Sequence, residues 1–208
     1  MTRQLKWRDR TVAVFDFDGT LTRRDTLLPF LRRTRGASRT SMALLATSLS
    51  MVRDRDRAKE AFLHRLLVGQ DVEELRAAAE VFADVVIKRG LRSSVLERVQ
   101  WHTAEDHELV IVTASPELYV SPIGERLGFD AVLGTRLETD GNGRLTGRLQ
   151  GRNCRGTEKV ERLRAWLGDG EVTLYAYGDS SGDRQLWESA DHAYRVRGDR
   201  VLVVGVSG

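Results

Sequence analysis

Four short stretches of this 208-residue chain carry side chains able to do chemistry. The first is Asp16-Phe17-Asp18-Gly19-Thr20. Residues i and i+2 of an extended segment share a side, so both carboxylates can face one cleft. Two acids after an apolar run are costly to bury without a cation or ligand. Gly19 permits a sharp turn directly behind them. The second stretch is Thr113-Ala114-Ser115. A hydroxyl at a strand end, followed by the free N–H groups of a helix start, would form an anion site. Ser115 itself reads more simply as an N-cap, with Pro116 in the first helical position. The third is Lys159, near the start of a helix, where a cation opposes the helix dipole. Pairing with an anion in a cleft would account for it; solvation alone is the alternative. The fourth, Gly178-Asp179-Ser180-Ser181-Gly182-Asp183, adds two carboxylates. Magnesium fits such donors, since it takes one or two carboxylates, keeps waters and accepts a phosphate oxygen. The alternative is a glycine-rich turn with Asp183 near a helix N-terminus.

The elements that must position these residues follow from periodicity. Residues 11–17 (TVAVFDF) are β-branched, aromatic and apolar with no helical period, which predicts a buried strand of a parallel sheet. Residues 25–35, 37–52, 56–68 and 71–89 carry Leu, Ala, Met and Phe at helical spacing. Gly36, Gly69 and Gly90 fall where those helices would stop. Another helix is predicted over 94–107 and a second buried strand over 109–113 (LVIVT), followed by a helix to about Leu127. A strand over 131–137 leads into a hairpin over 137–149 around Asp140-Gly141-Asn142-Gly143. A helix over 157–167, a strand over 172–177, a helix over 181–189 and short strands over 192–196 and 201–204 complete the chain. Strands separated by helices indicate an α/β sheet with right-handed crossovers. The helical block over about 22–94 interrupts that alternation and reads as an inserted cap, leaving 1–21 and 95–208 as the core. The four stretches then follow strands or open helices, where open α/β sheets bind ligands.

The order DxDGT, strand-end Thr, Lys, GDxxxD resembles the haloacid dehalogenase-like (HAD) superfamily. Within it, the chain is similar to the phosphoserine phosphatase-like branch, subfamily IB, with a helical cap after the first motif. DFDGTLT and YGDSSGD are the specific parts, and LETDGNGRLTGRLQG resembles that branch's hairpin. NCRGTEKVERL with AYGDSSGDRQLW is similar to a bacterial subgroup that includes phosphatidylglycerophosphate phosphatases. The resemblance implies a Rossmann-like core with a mostly parallel sheet and magnesium-dependent hydrolysis of a phosphate monoester. It implies that Asp16 is the nucleophile and becomes an aspartyl phosphate. Asp18 would be general acid to the leaving alkoxide, then general base for water. Magnesium and Lys159 would keep Asp16 ionised while Asp18 carries a proton. The metal would be held by Asp16, the Asp18 backbone carbonyl and Asp179, with Asp183 behind or through water. Thr113, the Ala114 amide and Lys159 would hold the phosphoryl oxygens. Dehalogenases of similar pattern lack the second aspartate, so Asp18 favours phosphoryl transfer. Asp25 matches a cap-side acid that contacts the substrate amine in phosphoserine phosphatases; an N-cap for the helix near Thr26 is the equal alternative. The branch's carboxylate-binding arginine has no clear counterpart, since Lys59 and Arg65 are near but misaligned. Gly182 stands where asparagine is usual. Both departures speak against phosphoserine itself.

Composition narrows the setting. Hydrophobic residues make up 41% and charged residues 30%, the balance of a soluble globular protein. No apolar run approaches the roughly 18 residues of a membrane span, and the opening MTRQLKWRDR lacks a secretory leader's apolar run. A cytoplasmic location is therefore expected. The single cysteine, Cys154, excludes an intramolecular disulfide and a multi-cysteine zinc site. His64, His102, His107 and His192 are scattered and suggest no shared site. Residues 1–65 hold 15 basic against 7 acidic side chains, and 29 of the chain's 33 basic residues are Arg. That is either a solvated basic face or an attraction for an anionic substrate or membrane surface. No known nucleic-acid-binding motif occurs in the basic stretch, so nucleic acid is not an expected partner. Three readings follow: a phosphatase of small phosphate monoesters, a phosphatase of a phospholipid headgroup such as phosphatidylglycerophosphate, and a non-catalytic module binding anionic lipid or nucleic acid.

Overall fold

A computed structural model describes residues 10–47 and 55–205. In chain order its elements are β1 (Thr11–Phe15), α1 (Leu27–Arg35), α2 (Ala37–Thr47), α3 (Arg55–Leu67), α4 (Val72–Arg89), α5 (Ser93–Ala104), β2 (Glu108–Pro116), α6 (Glu117–Arg126), β3 (Ala131–Thr135), β4 (Leu137–Thr139), β5 (Leu145–Leu149), α7 (Thr157–Leu167), β6 (Thr173–Gly178), α8 (Arg184–Glu188), β7 (His192–Arg197) and β8 (Arg200–Val203). The main sheet has the order β3-β2-β1-β6-β7-β8. Its pairs are parallel apart from β7–β8. β2 and β3 lie to one side of β1 and β6 to the other. Connections therefore diverge past the C-terminal end of β1 and leave a crevice there.

Alternate residues of β1 feed two cores. Ala13 and Phe15 join Ile111, Val95, Val99, Val120 and Ile123, the last four from α5 and α6. Val12 and Val14 join Val110, Val112, Leu174 and Ala176 with Leu163 of α7 and Leu186 of α8. A strand covered on both faces must be apolar on both, which is why TVAVF shows no alternation.

Helices α1 to α4 lie between Thr22 and Leu91, which form an antiparallel bridge. Arg23 donates its N–H to the Gly90 carbonyl at 2.9 Å, and Arg92 its N–H to the Leu21 carbonyl at 2.9 Å. The chain leaves and re-enters the sheet layer through this neck. The buried Arg92 fastens it: the guanidinium donates to the carbonyls of Gly19 at 3.2 Å and Thr20 at 3.3 Å, and to that of Gly198. Helix α4 lies on α6, where Arg126 pairs with Glu80 and Asp84 at 2.7 Å each. The β4–β5 hairpin meets α3, with Leu149 donating to Glu60 Oε1 at 3.3 Å.

Several boundaries differ from the sequence expectation. The end of the helix expected over 37–52 lies outside the described residues beyond Thr47. The first strand ends at Phe15, and Phe17–Leu21 form a wide helical turn with Gly19 at φ +83°. The strand expected over 131–137 divides into β3 and β4. The helix expected over 94–107 stops at Ala104, and Asp106 takes φ 58°. The helix expected over 181–189 is a 3₁₀ turn (Ser181–Asp183) followed by α8. Ser115 does not cap α6. Pro116 pairs in register with Thr135, so β2 stays extended through Pro116 and α6 begins at Glu117.

His102, given no role by its sequence context, is fully buried on α5. Its ring bonds the Tyr177 hydroxyl at 2.9 Å and His107 Nδ1 at 2.8 Å, and meets Phe15 edge-on. Burial pulls His102 down to about 4, helped by the charges of His107 and Arg98. The unfolded chain therefore takes up this proton first as pH falls from the ordinary value near 6.5. Stability from this group is complete above that value and is lost as pH falls toward 4. The loss expected is about 1–2 kcal/mol after allowance for solvent screening. Thermal unfolding followed between about pH 7 and pH 4.5 should show it in the parent protein and less of it in His102→Gln. Identical pH slopes in the two proteins would refute the assignment.

Candidate active site

Asp16 follows β1 directly, in extended conformation (φ −66°, ψ 159°), and its N–H continues the ladder to the Tyr177 carbonyl at 2.8 Å. The side chain is buried beneath the crevice. Thr20 Oγ1 donates to Asp16 Oδ2 at 3.2 Å. Lys159, in the first turn of α7, donates to Asp16 Oδ1 at 2.5 Å and to Asp183 Oδ1 at 2.6 Å. A buried ammonium shared by two carboxylates explains a lysine placed against its helix dipole. Burial alone would lower Lys159, but Asp16 and Asp183 outweigh it and hold it well above the ordinary value. Burial pushes Asp16 up, with Asp183 adding and Lys159 opposing.

Asp179 and Asp183 belong to the loop after β6. Asp183 Oδ2 accepts from the N–H groups of Asp179 at 3.2 Å and Ser180 at 3.1 Å, which folds the loop back on itself. Oxygens of Asp16, Asp179 and Asp183 lie within 4.8 Å of one another. Two glycines permit this approach. A Cβ on Gly19 would come within 2.5 Å of Asp179 Oδ2, and one on Gly178 within 2.5 Å of Asp183 Cβ.

Asp18 is held differently. Its Oδ1 accepts from the Thr26 N–H and hydroxyl at 2.7 Å each, and its Oδ2 from the Ser115 hydroxyl. The Tyr119 hydroxyl donates to Ser115 Oγ at 2.7 Å and stands 3.0 Å from Thr26 Oγ1. Burial raises Asp18, and the charge of Asp25 adds to it; the bonds from Ser115 and Thr26 pull back, leaving it at about 6. Near neutral pH a fraction of Asp18 therefore carries a proton, as a general acid requires.

These groups open onto one cavity of about 550 Å³, lined also by Thr113, Ala114, Asp25, Lys59, Asn153 and Arg155. Asp16, Asp18, Asp25, Thr113, Ala114, Lys159, Asp179 and Asp183, the site residues expected from the sequence, thus border the same space, whereas Arg65 does not. Thr113 Oγ1 accepts from the Ser115 N–H at 3.0 Å, and Asp25 Oδ1 from the Leu27 N–H at 3.0 Å. The Ala114 carbonyl accepts from Lys59 Nζ and, at 2.5 Å, from the Thr135 hydroxyl. Lys59 also donates to Asn153 Oδ1 at 2.7 Å. Burial lowers Lys59 to about 8, while Asp18, Asp56 and Asp25 pull it upward.

Sequence reasoning missed Ser115, Thr26, Tyr119 and the placement of Lys59. The signal for Ser115 was available: it stands two residues after Thr113, the same spacing that pairs Asp16 with Asp18. Lys59 had a compositional signal. Only 4 of the 33 basic residues are Lys, and two of those line this cavity. Thr26 and Tyr119 had none, because their partners are remote in sequence.

A family model for haloacid dehalogenase-like hydrolases matches residues 13–188. The chain belongs to that family. Protein CicA of Caulobacter vibrioides is 37% identical over 191 residues, covering 89% of this chain and 86% of that protein. A phosphoserine phosphatase of Archaeoglobus fulgidus is 28% identical over 200 residues, covering 94% of this chain and 55% of that protein. A solved structure of a Bordetella pertussis protein of unknown function superposes with a TM-score of 0.76 at 28% identity, covering 89% of each chain. Membership of this hydrolase family accounts for both the doubly wound α/β sheet and the motif order along it.

Proposed function

We propose that this HAD-family phosphatase hydrolyses a small phosphate monoester, using magnesium and an aspartyl-phosphate intermediate on Asp16. One observation carries the reading: oxygens of Asp16, Asp179 and Asp183 lie within 4.8 Å of one another, and Asp16 and Asp183 share the ammonium of Lys159. Three carboxylates with one lysine leave negative charge that a hard divalent cation would balance, and all the donors are oxygens suited to it. Asp16, the Asp18 backbone carbonyl, Asp179 and Asp183 would hold that cation. When bound, magnesium neutralises charge on the phosphoryl oxygens and keeps Asp16 ionised.

Asp16 attacks phosphorus while the bond to the leaving oxygen breaks, and Asp18 gives its proton to that oxygen. Asp18 then accepts a proton from the attacking water as the aspartyl ester breaks, which restores Asp16 and releases phosphate. Lys159, Thr113 and the Ala114 N–H hold the phosphoryl oxygens through transfer, where positioning and charge supply most of the catalysis. Ser115, Thr26 and Tyr119 keep Asp18 aimed. Asp25, one residue before the α1 N-cap Thr26, accepts from the Leu27 N–H and borders the cavity, where it would meet the substrate. In this reading residues 22–94 act as the cap over a core of 1–21 and 95–208. Release of p-nitrophenol from p-nitrophenyl phosphate should vanish in EDTA and return with added magnesium. Undiminished turnover in EDTA would overturn the metal assignment.

A second reading, action on a phospholipid headgroup phosphate, is favoured by the surface of α2. Met42 and Leu45 are 69% and 74% exposed. Arg35, Arg39 and Arg65 line a groove beside Met42. Apolar side chains ringed by cations suit an anionic membrane surface. Among the described residues no helix is long and apolar enough to cross a membrane. Co-sedimentation should therefore be seen with vesicles containing phosphatidylglycerol and fall with salt. Equal recovery with neutral vesicles would remove this reading.

A further inference from the structure

The cavity has two unlike walls. Asp16, Asp18, Asp179 and Lys159 form the reacting wall. On the other side, α1, α2 and α3 present Leu27, Leu28, Leu44 and Phe62. Phe62 is buried, while the three leucines are half-buried and keep apolar surface toward the cavity. Asp25 accepts from Leu27, and Asp56 accepts from Asn153 Nδ2 at 2.7 Å. Two cationic donors keep N–H groups unused. Lys59 has three N–H groups and uses two, on Ala114 and Asn153. Arg155, half-buried beside Gly182, has no side-chain partner among the described residues. The space next to the leaving oxygen therefore offers an apolar seat and surplus donors.

We infer that the alcohol released from phosphate has an apolar alkyl or aryl body seated on Leu27, Leu28, Leu44 and Phe62, and bears a hydrogen-bond acceptor that meets Lys59 and Arg155. This rests on the phosphatase reading and specifies its substrate class. A small zwitterion lacks the apolar body. A bare alkyl chain leaves the donors unmatched. Acceptors such as a carboxylate, an ester carbonyl or a second phosphate all satisfy the site.

The n-alkyl phosphates from methyl to hexyl test the apolar seat, because their leaving alcohols have nearly the same intrinsic reactivity. With magnesium, kcat/KM should rise roughly three- to fourfold per methylene buried, the factor expected for moving that group out of water. Leu28→Ser and Leu44→Ser should flatten this slope. Phenyl and 4-carboxyphenyl phosphate test the donors. The parent protein should prefer the carboxylated ester by roughly tenfold or more, the strength of a hydrogen bond to a charged group, and Lys59→Met should erase that preference. Vesicles of phosphatidic acid in phosphatidylcholine separate the sources. Turnover above that of hexyl phosphate assigns the class to lipid; turnover confined to the monomeric esters assigns it to soluble molecules. A flat or falling series with methyl phosphate still hydrolysed overturns the inference and spares the phosphatase reading. Failure of every ester in the presence of magnesium overturns both.

Discussion

Asp16→Asn should yield a folded protein with essentially no turnover. An amide oxygen cannot take up phosphorus as a carboxylate does, so kcat should fall on the order of ten-thousandfold or more, as when other nucleophiles are removed. Stability should move the other way or hardly at all. In the parent protein Asp16 and Asp183 share Lys159 at 2.5 and 2.6 Å. Replacing one carboxylate relieves their mutual repulsion and leaves the Lys159–Asp183 pair in place. Thr20 Oγ1, which donates to Asp16 Oδ2 at 3.2 Å, can still donate to an amide oxygen. Turnover of p-nitrophenyl phosphate and a thermal melt on one preparation decide the matter. Activity within tenfold of the parent would remove Asp16 as nucleophile. A collapse of the melting transition would show that the carboxylate is chiefly structural.

Lys159→Met should damage both properties. Methionine fills much the same volume, so the lost term is charge. Asp16 and Asp183 would then be buried without their shared ammonium, and stranding buried charge in this way costs about 3–5 kcal/mol. For a chain of this size that corresponds to a fall in Tm of roughly 10 °C. Loss of a preorganised cation at the transferring phosphoryl group should lower kcat on the order of a hundred- to a thousandfold. Added magnesium should recover part of the Tm, because an ion bound only by the folded state stabilises it by mass action. A variant that melts with the parent and turns over normally would show that Lys159 neutralises nothing that matters.

The contrast between these variants reflects how the acids are held. Asp16 sits among charges, bonded by Lys159 and within 4.8 Å of carboxylate oxygens of Asp179 and Asp183. Asp18, two residues on, is held by neutral donors, namely Thr26 and Ser115. Burial raises both, but only Asp16 accepts a hydrogen bond from a cation. A nucleophile that must be ionised and an acid that must hold a proton need such unlike surroundings.

Much of the site was legible from local pattern. Asp16 and Asp18 stand out as acids after a strand-like run, and Gly19 as the turn that aims them. Asp179 and Asp183 stand out in the same way. Lys159 was conspicuous because its position opposes its own helix. Ser115 was misread because the Ser-Pro pair signals a helix start, whereas the pairing of Pro116 with Thr135 keeps the strand extended. The apolar cavity wall was hidden in helical periodicity, since Leu28, Leu44 and Phe62 look like ordinary core positions until their neighbours are known.

By itself the sequence determined the alternation of strands and helices, the placement of acids after strands and the glycines that let those acids meet. Each of these depends on residues within a few positions of one another. The tertiary structure alone decided which groups balance the buried charge. Lys159 reaches Asp16 across 143 residues, Ser115 reaches Asp18 across 97, and Lys59 reaches Ala114 across 55. Burial makes an unmatched charge expensive, so those distant pairings set the protonation of each acid, and no local pattern encodes them.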